Sequence, residues 1–284
     1  TPQANGGPSA KGSLAWYFTL TFAVAWAFWI AGASVAKGTS AVPGTRALFF
    51  LPGTFAPALV AIGLAARAGG SAAVNALFDR IFDASAAARW YVFAAGYMAA
   101  VKLVAAAVHR ALTGEWPAFG QTPFYLLLVA TAFSTPFQAG EEIGWRGFAL
   151  PRMAERFGLG GAGVLLGVVW AFWHLPLFLL PGTDTTGQSF PVFLISVTAL
   201  SVAMAWLFGN TGGRLLPVML MHAAINNTKD IVPSAVPGAS RAFTPSPSLI
   251  AWLSATVLWT GAAYFLVKMP RDGGSDRASR PAAG

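Results

Sequence analysis

Apolar residues gather in eight long stretches, at 14–36, 47–66, 90–112, 123–150, 161–180, 189–209, 215–232 and 248–267. Short segments rich in Gly, Pro, Ser and charged residues separate them. A helix rising 1.5 Å per residue needs roughly 20 mostly apolar residues to cross a bilayer core, and every stretch meets or approaches that length. The pattern predicts an all-α, polytopic membrane protein with about eight transmembrane helices in one bundle. The first stretch, preceded by Lys11 and closed by Ala33-Ser34-Val35-Ala36, shares features with a signal peptide. Its 23 residues exceed the apolar run of about 7–15 that a signal carries, so a retained span is expected. Between the second and third stretches, Val74, Leu77, Ile81 and Phe82 recur at helical spacing within 71–89. They predict an amphipathic helix lying on the membrane surface. The chain divides into a tail at 1–13, a single transmembrane domain at 14–268 and a second tail at 269–284. Both Pro/Gly/Ser-rich tails read as disordered, and no internal repeat is visible.

Composition agrees with this division. Apolar residues make up 56% of the chain and charged residues 10%, against about 25% charged in an ordinary soluble domain. A soluble core of this size has no means of burying so much apolar surface. Cysteine is absent, which excludes disulfides, thiolate metal sites and a cysteine nucleophile. The net charge of +8 is thinly spread, with no basic run suited to nucleic acid. Eight spans place both termini on one side of the membrane. Eleven Lys and Arg fall on that side and five on the other, so the positive-inside rule puts both termini in the cytoplasm, in a prokaryotic plasma membrane. Trp16, Trp90 and Trp116 lie near span ends, where an aromatic belt is expected.

The spans also hold residues that lipid disfavours. Glu141, Glu142 and Arg146 lie in the fourth stretch, His174 in the fifth, and His222 with Asn226 in the seventh. Each charge costs about 2.5–3.5 kcal/mol at bilayer depth even on permissive scales. Glu142 and Arg146 are four apart, share a helix face and can neutralise each other. Glu141 points about 100° away from Glu142. Counted from the cytoplasmic span ends at about 1.5 Å per residue, Glu141, His222, Asn226 and His174 reach depths of ~13, ~11, ~17 and ~20 Å. Three helices thus bring polar groups to similar depths, which predicts one polar cavity open to the cytoplasm. A buried carboxylate suits a general base acting on water, and an imidazole with a carboxamide can donate to a developing oxyanion. Those parts suffice for peptide-bond hydrolysis without a covalent nucleophile. Pro136, five residues before Glu141, is expected to kink or loosen its helix. Gly144, Gly147 and Gly167 read as sites of close helix contact. His109 reads as interfacial. Lys102, in mid-span, either snorkels or faces the cavity.

These residues form a recognisable order. Glu141-Glu142-Ile-Gly-Trp-Arg146 reads as EExxxR, Trp170-Ala-Phe-Trp-His174 is close to FxxxH, and His222-Ala-Ala-Ile-Asn226 reads as HxxxN. Their order on separate membrane helices resembles the CPBP family of CAAX proteases and bacteriocin-processing (Abi) proteins, which includes the type II CAAX prenyl endopeptidases. The resemblance implies an intramembrane endopeptidase in which Glu141 activates water and His174 helps to bind it. His222 and Asn226 would form the oxyanion hole, and Glu142 and Arg146 would support the fourth helix. Trp170 stands where the family pattern has Phe, an aromatic wall of different size that bears on substrate fit. The implied substrate is a membrane-associated peptide or lipidated protein, CAAX-like or a bacteriocin leader, with the bilayer as the other partner and no nucleic acid. No cofactor is favoured; the alternative is a zinc set of Glu141, His174 and His222, although no HExxH helix is present. Two other classes remain open, a non-catalytic scaffold or immunity protein and a proton-coupled transporter. A transporter is expected to show inverted repeats.

Overall fold

The computed structural model describes residues 10–38, 45–180, 185, 187–234, 242–245 and 248–269. Most of the two expected tails lies outside the described residues. The part of them that is described joins the fold: the first helix begins at Ala10, and Met269 is buried. All regular structure among the described residues is helical. In chain order the helices are α1 (Ala10–Gly38), α2 (Thr45–Phe82), α3 (Ala88–Thr113), α4 (Phe124–Ser134), α5 (Ala139–Glu142), α6 (Leu150–Trp173), α7 (Leu175–Leu179), α8 (Phe190–Asn210), α9 (Leu216–Thr228) and α10 (Leu249–Lys268).

Six stretches among the described residues are long and apolar enough to cross a membrane: Leu14–Ser34, Leu48–Phe82, Ala88–Thr113, Phe124–Leu179, Phe190–Asn210 and Leu249–Lys268. The protein is therefore a multi-pass membrane protein. Two physical reasons separate six stretches from eight expected spans. The fourth and fifth expected spans run together in Phe124–Leu179, a path of 56 residues that turns at Gly158. That residue has φ 65° and ψ 165°, a backbone conformation that only glycine adopts readily. The seventh expected span forms α9, of 13 residues, or about 20 Å at 1.5 Å per residue. Nine of those residues are buried. Its neighbours α3, α4 and α8 enclose α9, so protein, more than lipid, surrounds it.

Gly69 and Gly70 break α2 (Gly70 φ 60°), and the helix resumes beneath the bundle. The expected amphipathic face lies on this arm. Leu77 is buried in the core, Val74 and Ile81 pack against it, and Phe82 is exposed. The arm docks on the protein as well as facing outward, because Arg80 Nη1 donates to the Gly147 carbonyl at 3.2 Å and Leu215 N–H donates to the Arg80 carbonyl at 2.7 Å. Just beyond it, Arg214 Nε stands 2.8 Å from Asp83 Oδ2. Hydrogen bonds from the Ser85 hydroxyl and backbone N–H, and then Arg214, hold the Asp83 carboxyl down at about 2. This tie is complete above the ordinary carboxylate range and is lost only as pH falls through about 2.

Close helix approach at glycine sets the core spacing. A Cβ on Gly144 would collide with the Pro57 carbonyl of α2 and the Tyr17 hydroxyl of α1. One on Gly167 would meet Thr198 Cα at 2.7 Å and Ser201 Cβ at 2.8 Å on α8. At Gly147 the nearest atom is the mobile end of Leu215, at 3.2 Å, so that contact is looser. Gly144→Ala and Gly167→Ala each press on backbone that cannot yield, and each is expected to destabilise the protein by about 1–3 kcal/mol. Gly147→Ala is expected to cost less. Thermal unfolding of the three variants in one detergent checks the order.

Candidate active site

Between α4 and α6 the helical path runs through three short segments and changes pitch four times. Pro136 has no N–H to give an α-helical turn, and Thr135–Gln138 form a 3-10 turn there. One α turn follows in α5, and Ile143–Ala149 then widen into a π-helical segment. Such segments are rare and recur at functional sites. All ten residues from Glu141 to Leu150 are buried, so the two carboxylates and the guanidinium must find partners inside the protein.

They do so across four elements. Glu142 is fully buried, and its oxygens accept from Arg146 Nη1 at 2.9 and 3.1 Å. Its Oε1 also lies 2.8 Å from His222 Nδ1 on α9. Arg146 Nη2 reaches Met204 Sδ on α8 at 3.3 Å, and the guanidinium lies 4.5 Å from the ring centre of Trp170 on α6. Trp170 in turn donates Nε1–H to Glu141 Oε2 at 2.8 Å. Its ring meets those of His174 and His222 edge-on, with centroids at 5.7 and 5.2 Å.

His174 closes α6, where Pro176 two residues later cannot continue the hydrogen-bond ladder. Its Nδ1 lies 2.8 Å from the Trp170 carbonyl. A carbonyl only accepts, so Nδ1 carries the proton and Nε2 of the neutral ring keeps its lone pair. The same logic at His222 directs Nδ1–H to Glu142.

Trp170, His174, His222 and Asn226 line one cavity of ≈ 170 Å³, and Lys102 of α3 lines it too. Sequence placed Glu141 in this cavity as well. The structure puts its carboxylate against the indole of Trp170, and Glu141 is not among the lining residues. Asn226 also borders a second groove, formed with α4. Among the described residues no three His, Asp or Glu side chains stand close enough together to hold a metal ion. In this arrangement Glu141 Oε2 accepts from Trp170 and His222 Nδ1 faces Glu142.

Two relationships escape sequence reasoning. The link from Glu142 to His222 makes the structural carboxylate a partner of a site residue. Trp170, expected as a cavity wall, does line the cavity, and its N–H also reaches Glu141, which a Phe at that position has no atom to do. The chemical signal was present in the indole N–H, which seeks an acceptor when buried.

Residues 121–228 match the family model described as "Type II CAAX prenyl endopeptidase Rce1-like". That segment contains every site residue named above except Lys102. Over that segment the chain is similar to the type II CAAX prenyl endopeptidases. A curated relative, "CAAX prenyl protease 2" of Methanococcus maripaludis, is 25% identical over 234 residues, which cover 76% of this chain and 83% of the relative. Similarity to this relative thus extends beyond the residues that match the family model.

Trp170 holds this core together through two separable features. Trp170→Phe removes one hydrogen bond to a carboxylate and is expected to cost about 1.5–3 kcal/mol of stability. Trp170→Ala also removes the ring from Arg146 and both histidines and is expected to cost about 3–5 kcal/mol. Unfolding midpoints of the purified variants test the order. A Phe variant as unstable as the Ala variant would contradict the division between N–H and ring.

Proposed function

We propose that the protein is an intramembrane endopeptidase that hydrolyses a peptide bond in a membrane-associated peptide, using Glu141-activated water and no metal. The observation that carries this reading is the convergence of Trp170, His174, His222 and Asn226 on one cavity, with Glu141 tied to its wall by Trp170. Glu141 Oε1 makes no hydrogen bond to the described residues and is the oxygen available to a water.

The steps follow from these groups. His174 Nε2 accepts a hydrogen bond from the water and holds it near Glu141. Glu141 takes a proton as the water oxygen bonds to the substrate carbonyl carbon. Negative charge moves to the carbonyl oxygen, where the Asn226 carboxamide and His222 Nε2–H donate to it. His222 donates there only when it carries both ring protons, and Glu142 is placed to offset that charge. Collapse breaks the C–N bond, and the proton held by Glu141 passes to the leaving amine. The products are a new carboxylate on one fragment and a free amine on the other.

Similarity to CAAX prenyl proteases supports a lipidated, CAAX-like substrate, with the prenyl group in the bilayer and the peptide presented from the cytoplasm. Both termini of the chain are cytoplasmic in this reading. A scaffold role has less support, because it gives no reason for a water-binding imidazole and a carboxamide beside an organised carboxylate.

The test uses purified protein in lipid nanodiscs and a farnesylated peptide of C-a-a-X form, with the released C-terminal fragment measured. Glu141→Gln is expected to lower kcat by about 10²–10⁴-fold, and Asn226→Ala by about 10²–10³-fold. Activity is expected to survive exhaustive chelation with the protein verified metal-free. Activity lost on chelation and restored by zinc removes the metal-independent mechanism, and full activity in Glu141→Gln removes Glu141 as the base.

A further inference from the structure

Lys102 is the in-span charge to which the mechanism gives no task. It lies within α3, 2% exposed. Its Nζ is 3.4 Å from Ser234 Oγ and 3.5 Å from Ser254 Oγ on α10. Both distances sit beyond the usual range of an N–H···O hydrogen bond. Two distant neutral hydroxyls do little to replace the water an ammonium gives up, and an unpaired buried charge is costly. The ion pairs among the described residues are Arg110–Glu115, Arg146–Glu142, Arg214–Asp83 and His222–Glu142; Lys102 is in none of them. Asp230 and Lys229, on the turn after α9, line the same cavity with one charge of each sign. Ser254 gives its hydroxyl proton to the Ile250 carbonyl at 2.7 Å, so Lys102 and Ser234 present a cation and one hydroxyl to the cavity that His174, His222 and Asn226 also line.

We propose that Lys102, with Ser234, is a subsite for the free α-carboxylate at the C-terminus of the substrate peptide. The proposal rests on the peptidase reading of the same cavity and sharpens it to cleavage close to a chain end. An ammonium beside a hydroxyl complements a carboxylate, whose two oxygens accept from both groups. A chain end brings that anion whatever its sequence. Lys102 would thus fix how far from the end the scissile bond lies, acting as a specificity residue remote from the reacting atoms.

The experiment measures binding to the full-length chain carrying Glu141→Gln, in nanodiscs, so that no turnover intervenes. The probes are a farnesylated C-a-a-X tetrapeptide as its free acid, the same peptide as its C-terminal amide, and the same peptide with two further residues ending in a free acid. The free-acid tetrapeptide is expected to bind roughly 10- to 100-fold more tightly than the other two, the range of a charge-assisted hydrogen bond. Adding Lys102→Met is expected to erase the difference, and Lys102→Arg to keep most of it. With Glu141 intact, the same preference is expected in KM and not in kcat.

Equal affinity for acid and amide overturns the subsite and needs no variant that has to fold. A preference that survives Lys102→Met assigns the anion to another group and also overturns it. An amide bound weakly but an extended acid bound well would show recognition of any carboxylate in reach, against the chain-end reading. If the protein with Glu141 cuts none of the probes while the acid preference holds, the peptidase reading falls and the carboxylate subsite stands. If it cuts the acid and amide equally well, the subsite falls alone.

Discussion

The carboxylate of Glu142 fixes the interior of this protein. It is fully buried, faces Arg146 through both oxygens and shares Oε1 with His222. A buried ion pair gains little net stability over apolar packing, but removing one partner leaves an uncompensated charge and costs about 3–5 kcal/mol. The arrangement therefore specifies more than it stabilises. The turn that holds Glu142 must face α9, Arg146 must reach Met204 on α8, and the indole of Trp170 must cover the guanidinium. A rotation of any of these helices would strand a charge where water cannot follow.

The orientation of Glu141 follows from that constraint. Adjacent residues on a helix point about 100° apart, so once Glu142 is committed to Arg146 and His222, Glu141 is turned elsewhere, and Trp170 is there to meet it. The same indole donates to Glu141 with its edge and receives Arg146 on its face. Its backbone carbonyl sets the tautomer of His174 one turn later. One side chain thus transmits the geometry of the ion pair to the imidazole of His174. The two neighbouring carboxylates have different surroundings, because Glu142 accepts from Arg146 and His222 while Glu141 accepts from Trp170 through Oε2 alone.

Much of this was legible in the residues. Membrane class, helical character and the grouping of His174, His222 and Asn226 follow from hydropathy, spacing and depth, because these quantities depend on position along an axis. Partner choice does not. Whether His222 reaches Glu142 or Glu141 depends on rotation about helix axes and on the distance between helices, which sequence periodicity leaves undetermined. The π-helical widening at Ile143–Ala149 shifts that rotation further, and no residue pattern announces it. The seventh apolar stretch, which forms the short α9, shows a related limit. An apolar stretch reads the same whether lipid or other helices cover it, and α9 is covered by helices.

The arrangement also bears on how hydrolysis can proceed at low dielectric. Two carboxylates, Glu141 and Glu142, and two cations, Arg146 and Lys102, lie buried in the bundle, a set that sums to zero with neutral histidines. Creating a new charge in such surroundings is costly, whereas moving an existing one is far less so. In the mechanism we propose, Glu141 becomes neutral when it accepts the proton of a water, and the negative charge reappears on the substrate oxygen beside Asn226. The total would be unchanged, the charge having migrated across the cavity. A substrate carboxylate would add one negative charge to this balance, and Lys102 lies in the cavity wall to receive it. Doubly protonated His222 would supply a further positive charge beside Glu142, which already faces one cation and is positioned to face a second. The low dielectric that makes these charges costly to bury also strengthens their hold on the oxyanion, provided that the helices keep water out and the set stays balanced.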